Sequence, residues 1–184
     1  LVDADDFPVI KKTSWGAYDE EVFAENLKLA RSFPQPFFSA ISTMTNHEPF
    51  NAKVPGVFKV RSIIDDFRNT AHYTDRCVVN YLRKAATQPW FKNTLFVIVA
   101  DHAHPYPLQR QYNEPGRHHI PLLLYGAVLK QEFRGMKIAR TGSQYDLPST
   151  LLKQLGIASV EYTWGKDLLA RATPEFAWYS FDNG

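Results

Sequence analysis

Apolar residues along this chain recur at two different spacings, and their alternation sets the expected architecture. At helical spacing, Val22, Phe23, Ala24, Leu27 and Ala30 mark a first helix. Asp19 or a neighbour is its expected cap, Lys28 and Arg31 lie near its end, and Pro34 and Pro36 stop it. A longer stripe comprises Ile63, Ile64, Phe67, Ala71, Thr74, Val78, Tyr81, Leu82 and Ala85, bounded by Pro55-Gly56 and Pro89. Arg61, Asp65, Arg68, Asp75, Arg83 and Lys84 form its wet face, and His72 in its middle reads as a partly buried structural histidine. A third helix is punctuated by Asp146 as N-cap, Pro148 in the first turn and Gly156 at its end.

Between these helices lie short, continuous apolar runs that suit strands: 37–44, 95–100, 120–126 and the aromatic run 176–181. Pro121 removes a ladder donor, so the third of these is expected near an edge or with an irregular start. The opening order of helix, strand, long helix, strand predicts an α/β fold with a mostly parallel sheet flanked by helices. Right-handed crossovers would then bring the carboxyl ends of 37–44 and 95–100 to one edge, where open α/β sheets bind ligands.

Composition adds limits. An apolar share of 45% in 184 residues suits one ordinary globular domain. The 21 basic and 19 acidic residues are scattered, which gives nucleic-acid binding no support. The single Cys77 lies in the long helical pattern, reads as a buried thiol and excludes an internal disulfide. No run of 18 apolar residues spans a bilayer, and no basic-then-apolar signal opens the chain. A Leu start and an aromatic run that stops at Gly184 are read as cut ends.

The chemistry concentrates where the strands end. The run Leu95 to Ala100 closes on Asp101-His102-Ala103-His104, and 37–44 leads into Thr45-Asn46-His47-Glu48-Pro49-Phe50. Carboxylate and neutral imidazole ligate divalent ions, so Asp101 and His102 are candidate metal ligands. His47, His104, His118 and His119 are candidates for further contacts, although for the pair at 118–119 the favoured reading is a backbone contact where the polar loop 105–117 returns. Ser42, Thr43 or Thr45 with His47 would make a nucleophile and base, but hydroxyls at sheet ends are mostly structural. Trp15-Gly16 reads as a packing anchor. Phosphate-loop, dinucleotide, nucleophile-elbow and H-E-x-x-H signatures are absent from the sequence.

Six ordered stretches carry a resemblance: Trp15-Gly16 with Asp19-Glu20; Pro36-Phe37-Phe38 leading to Thr45-Asn46-His47-Glu48-Pro49-Phe50; Ala71-His72-Tyr73-Thr74-Asp75; Asn93-Thr94 leading to Ala100-Asp101-His102; His119-Ile120-Pro121-Leu122-Leu123; and Gln144-Tyr145-Asp146-Leu147-Pro148-Ser149-Thr150-Leu151-Leu152. Together they resemble the carboxyl-terminal half of the sulfatase and alkaline phosphatase superfamily, closest to its lipoteichoic acid synthase or phosphoglycerol transferase branch. The resemblance implies an alkaline phosphatase/sulfatase-like sheet, incomplete at its amino-terminal side, with 1–184 forming the carboxyl-terminal part of a single catalytic domain. It implies that Asp101 and His102 bind a divalent metal ion, with Mn, Zn, Mg and Ca all open, and that His47 contacts a substrate phosphate or sulfate or moves a proton. Asn46, His104, His118 and His119 are possible further substrate or metal contacts.

The nucleophile and another acidic ligand would lie in the amino-terminal half, the partner without which the chain is expected to be inactive. The implied substrate is a lipid-linked or glycan ester of the cell envelope, met by the extracytoplasmic domain of a membrane-anchored bacterial protein. Arylsulfatase-type hydrolysis and a noncatalytic remnant of the fold are the alternatives. Ala103 stands where the family usually has Gly.

Overall fold

A computed structural model describes residues 2–3, 6–7 and 12–180. It divides into two compact units, Leu1–Leu129 and Lys130–Gly184.

The first unit is built on two helices. Helix α1, Asp19–Leu29, and helix α2, Ile63–Ala85, form over the two apolar stripes, each with acids in its first turn and lysine or arginine in its last. Their facing sides bury Tyr18, Phe23, Tyr73 and Cys77, with Ile41, Ala52, Val54, Val78 and Tyr81 packed around them. Phe23 lies 4.9 Å from Tyr81 and Tyr18 meets Tyr73 edge-on; burying one such side chain is worth about 2 kcal/mol. The expected buried thiol is therefore a core residue.

The strand β1, Phe96–Val99, forms within the predicted 95–100 run, and β2, Leu122–Tyr125, begins after Pro121. Their pairing differs from the expected parallel sheet. Among the described residues the ladder is two-stranded and antiparallel, with Phe96 opposite Tyr125 and Val99 opposite Leu122. The reason lies in the connection: residues 100–121 contain only a 3-10 turn at Pro115–Arg117 and no crossover helix, so the chain doubles back.

Residues 37–44 do not form the expected strand; they have no ladder partner among the described residues, and Phe38 is 89% exposed. The run 176–180 likewise forms no ladder, and Phe181 lies outside the described residues. Apolarity nominates a strand, but a strand needs a neighbour to satisfy its backbone.

The second unit is organised on α3, Asp146–Gln154. Gly156 ends it at φ +71°, with Ile157 N–H donating to Leu152 O and Gly156 N–H to Lys153 O, the paired closure that favours glycine. Asp146 is the first helical residue rather than the cap, because its buried carboxylate is used elsewhere. It accepts from the Ser143 N–H, the Lys166 N–H and, at 2.8 Å, the Lys166 ammonium. Arg140 binds the strap that follows α3, residues 162–176, through Leu168 O and Ala170 O. Among the described residues, no helix is long and apolar enough to cross a membrane.

Candidate functional site

The turn that carries His47 is held from below by Asp19. This residue opens α1, yet its carboxylate does not cap the helix. Instead Oδ1 accepts the Met44 and Thr45 N–H groups at 2.8 and 3.0 Å, while Oδ2 accepts the Thr74 hydroxyl of α2 at 2.5 Å. Thr45 reciprocates, its Oγ1 accepting the Asp19 N–H at 2.9 Å. Asn46, a candidate substrate contact, has its Oδ1 engaged by the Thr70 hydroxyl of α2 at 2.7 Å. Both helices thus fix the backbone immediately before His47. The hydroxyl of Thr45 is spent on this clamp and is buried, so the nucleophile reading of that residue gains nothing.

His47 itself lies over the Trp15 indole, ring centroids 4.1 Å apart, and its Nδ1 is 2.9 Å from Glu48 O. The same carbonyl accepts the Trp15 Nε1–H at 2.7 Å. Trp15, expected as a packing anchor, is 54% exposed and works at this turn rather than in the core. The Glu48 carboxylate reaches His104 Nε2 at 2.9 Å. His104 stacks on Phe67 and meets Phe50 edge-on, and its Nδ1 accepts the Tyr106 N–H at 3.1 Å. Both ring nitrogens of His104 are therefore committed, which argues against its use as a metal ligand.

At the end of β1, Asp101 and His102 are exposed side by side. His102 Nδ1 is 3.0 Å from Ala103 O, a carbonyl that also accepts Arg117 Nη1–H at 2.8 Å. A carbonyl oxygen only accepts, so Nδ1 carries a proton, and in the neutral ring Nε2 keeps its lone pair. That Nε2 stands 3.6 Å from Asp101 Oδ2, too far for a hydrogen bond. Two ligand atoms about 2.1 Å from a shared ion at a tetrahedral angle lie about 3.4 Å apart. The residues thus fit a divalent ion: two lone-pair donors at a ligand-edge spacing, with the imidazole fixed by the backbone carbonyl that metal-binding histidines commonly use. Among the described residues, no group of three or more His, Cys, Asp or Glu side chains completes such a site.

The other histidines stand apart in role. His118 uses Nε2 on Tyr112 O at 2.7 Å, closing the loop 105–117 as a backbone contact. His119 is exposed, and His72 on α2 keeps a buried Nδ1 with no hydrogen-bond partner among the described residues. The residues that sequence reasoning passed over are Asp19 and Glu48. Both are acids within the quoted motifs, but their partners lie 25 to 56 residues away and leave no local signal. Burial, chiefly, pushes the Cys77 thiol up to about 11 and the Tyr73 phenol higher still.

A family model described as Sulfatase matches residues 2–157. The chain is 27% identical over 204 residues to "Lipoteichoic acid synthase-like YvgJ" of Bacillus subtilis (strain 168), covering 95% of this chain and 32% of that protein. It is 24% identical over 180 residues to lipoteichoic acid synthase 2 of the same organism, covering 86% and 27%. A solved structure of a protein in the alkaline phosphatase superfamily from Vibrio parahaemolyticus superposes with a TM-score of 0.75 at 24% identity, covering 94% of this chain and 42% of that one. The α/β fold expected from the resemblance is thereby established as alkaline phosphatase-like. The chain spans between about a quarter and a third of the length of the curated relatives it matches.

Proposed function

Since this chain belongs to the sulfatase family, we propose that it contributes the Asp-His metal ligands and a substrate-contacting histidine to a phosphodiester transferase acting on a lipid-linked or glycan ester of the cell envelope. Phosphoglycerol transfer is the favoured chemistry, because relatives covering most of this chain are named lipoteichoic acid synthases. The carrying observation is the pair at the end of β1: Asp101 Oδ2 and His102 Nε2 3.6 Å apart, with His102 Nδ1 on Ala103 O.

A divalent ion held there would supply positive charge against the charge that develops on the ester and would favour ionisation of an attacking hydroxyl. The chain's own residues do the rest. Asp101 and His102 hold the ion. His47, clamped through Asp19 and Asn46, turns Nε2 toward a nonbridging oxygen or toward the leaving group's proton. The nucleophile and a further acidic ligand come from a preceding segment of the same catalytic domain, in a membrane-anchored protein whose catalytic domain faces outward. The chain by itself is accordingly inactive.

The test compares a phosphodiester lipid with an aryl sulfate, each with Mn²⁺, Zn²⁺, Mg²⁺ or Ca²⁺ added to metal-stripped full-length protein. Turnover of the lipid, abolished by chelation and restored by an ion, is the expected outcome. Turnover of the sulfate alone would replace this reading with sulfate-ester hydrolysis.

A further inference from the structure

We infer that Trp15 is a positioning residue for His47, fixing the imidazole as its Nδ1–H tautomer so that Nε2 is the nitrogen offered to substrate. The inference rests on the proposed role of His47. It begins at Glu48 O, which has two lone pairs and no proton to give. One lone pair takes the Trp15 Nε1–H at 2.7 Å. The other receives His47 Nδ1 at 2.9 Å, so that nitrogen must carry the proton. The indole then covers the imidazole at 4.1 Å with the rings inclined by 36°, blocking a flip of the ring on that side.

Trp15 is itself rigidly presented. Thr13 N–H donates to Gly16 O at 2.7 Å, Trp15 N–H donates to Thr13 Oγ1 at 3.1 Å, and Lys12 bridges Ala17 to close a tight hairpin. Gly16, at φ +154°, supplies a conformation that other residues rarely adopt. The anchoring carbonyl is secured from its other side as well. The Glu48 carboxylate accepts from His104 Nε2, which carries its ring's proton because Nδ1 accepts from Tyr106 N–H. A tryptophan that is 54% exposed gains little from burial at such a place. Its N–H and its ring face are both spent on the His47 turn, which is what a positioning residue does.

The chemical consequence is a division of labour set by protonation. With Nδ1–H committed, neutral His47 presents only a lone pair at Nε2 and accepts a proton there. The imidazolium presents an N–H at Nε2 and donates to an oxygen. The tautomer therefore decides which atom touches substrate; Glu48 O selects it, and Trp15 holds that carbonyl and the imidazole against each other.

Nitrogen-15 NMR of the His47 side chain in the full chain reads this directly. The expected result is Nδ1 protonated in the wild type, Nε2–H substantially populated in Trp15→Ala, and an intermediate distribution in Trp15→Phe, which keeps the ring and loses the donor. An unchanged Nδ1–H tautomer in Trp15→Ala overturns the inference, as does an Nε2–H tautomer in the wild type. Should Trp15→Ala not fold, Trp15→Phe answers the question alone, and a wild-type distribution there is the contrary result.

In the full-length protein, Trp15→Ala lowers kcat about tenfold with KM little changed, and adds nothing in a His47→Ala background. Additive effects would contradict action through His47. A wild type with no phosphodiester turnover defeats the proposed function while the tautomer measurement still stands.

Discussion

A carboxylate without solvent contact must be matched by donors, and Asp19 takes three of them, two backbone N–H groups and the Thr74 hydroxyl. Asp19→Ala strands the Met44 and Thr45 amides and is expected to cost about 3 kcal/mol, read as a fall in the urea midpoint. Asp19→Asn, which keeps one acceptor for the two amides, loses less. Equal losses would mean that charge, not the clamp, carries the effect. Cys77 supplies a pH-dependent counterpart. Its folded pKa is raised from 9.0 to about 11, first by burial and then by the Asp19 and Glu20 carboxylates, partly offset by the Tyr73 hydrogen bond and Arg76. A raised folded pKa means stability that is complete below pH 9 and is lost as pH rises through 11, on the order of 2 kcal/mol. Urea titrations at pH 8 and pH 10.5 measure the loss; Cys77→Ala should reduce that difference without abolishing it, because burial also raises the Tyr73 and Tyr81 phenols. Of these residues only Cys77 was legible in the sequence, because burial follows from a position on an apolar stripe. Asp19 looked like a cap since capping is local, whereas its true partners are brought by folding from residues 44, 45 and 74.

At the scale of elements, the periodic segments were the legible ones. α1, α2 and α3 stand where their stripes and punctuation put them, and β1 and β2 fall inside the predicted runs. The pairing was not legible: antiparallel association follows from a connection that lacks a helix, and the apolar runs at 37–44 and 176–180 carry no statement of what they would pair with. Two predictions belong to α3. Gly156→Ala places a side chain at φ +71° and is expected to cost about 1 kcal/mol in thermal or urea unfolding. Lys166→Ala leaves the Asp146 carboxylate buried without its cation, at a cost of about 3 kcal/mol. Hydrogen exchange should then accelerate across α3 and the strap at 162–176, while α1 and α2 keep their protection.

For the molecule as a whole, the fold and the family are established, and the proposed chemistry rests on two histidines that share one arrangement. His47 and His102 each spend Nδ1–H on the backbone carbonyl of the following residue, and each of those carbonyls takes a second donor, Trp15 or Arg117. In each, Nε2 is the nitrogen not used on that carbonyl, and it is the atom to which the proposed function gives a ligand. The sequence nominated these residues as candidates by placing Asp-His and His at the ends of apolar runs, but which nitrogen meets the backbone depends on contacts that no spacing encodes. The most direct test of the whole account is phosphodiester-lipid turnover by full-length protein with added divalent ion, comparing wild type with Asp101→Ala and His102→Ala. A loss of at least about a thousandfold in both variants, with the fold intact by circular dichroism, is the predicted result. Wild-type turnover in either variant would contradict it.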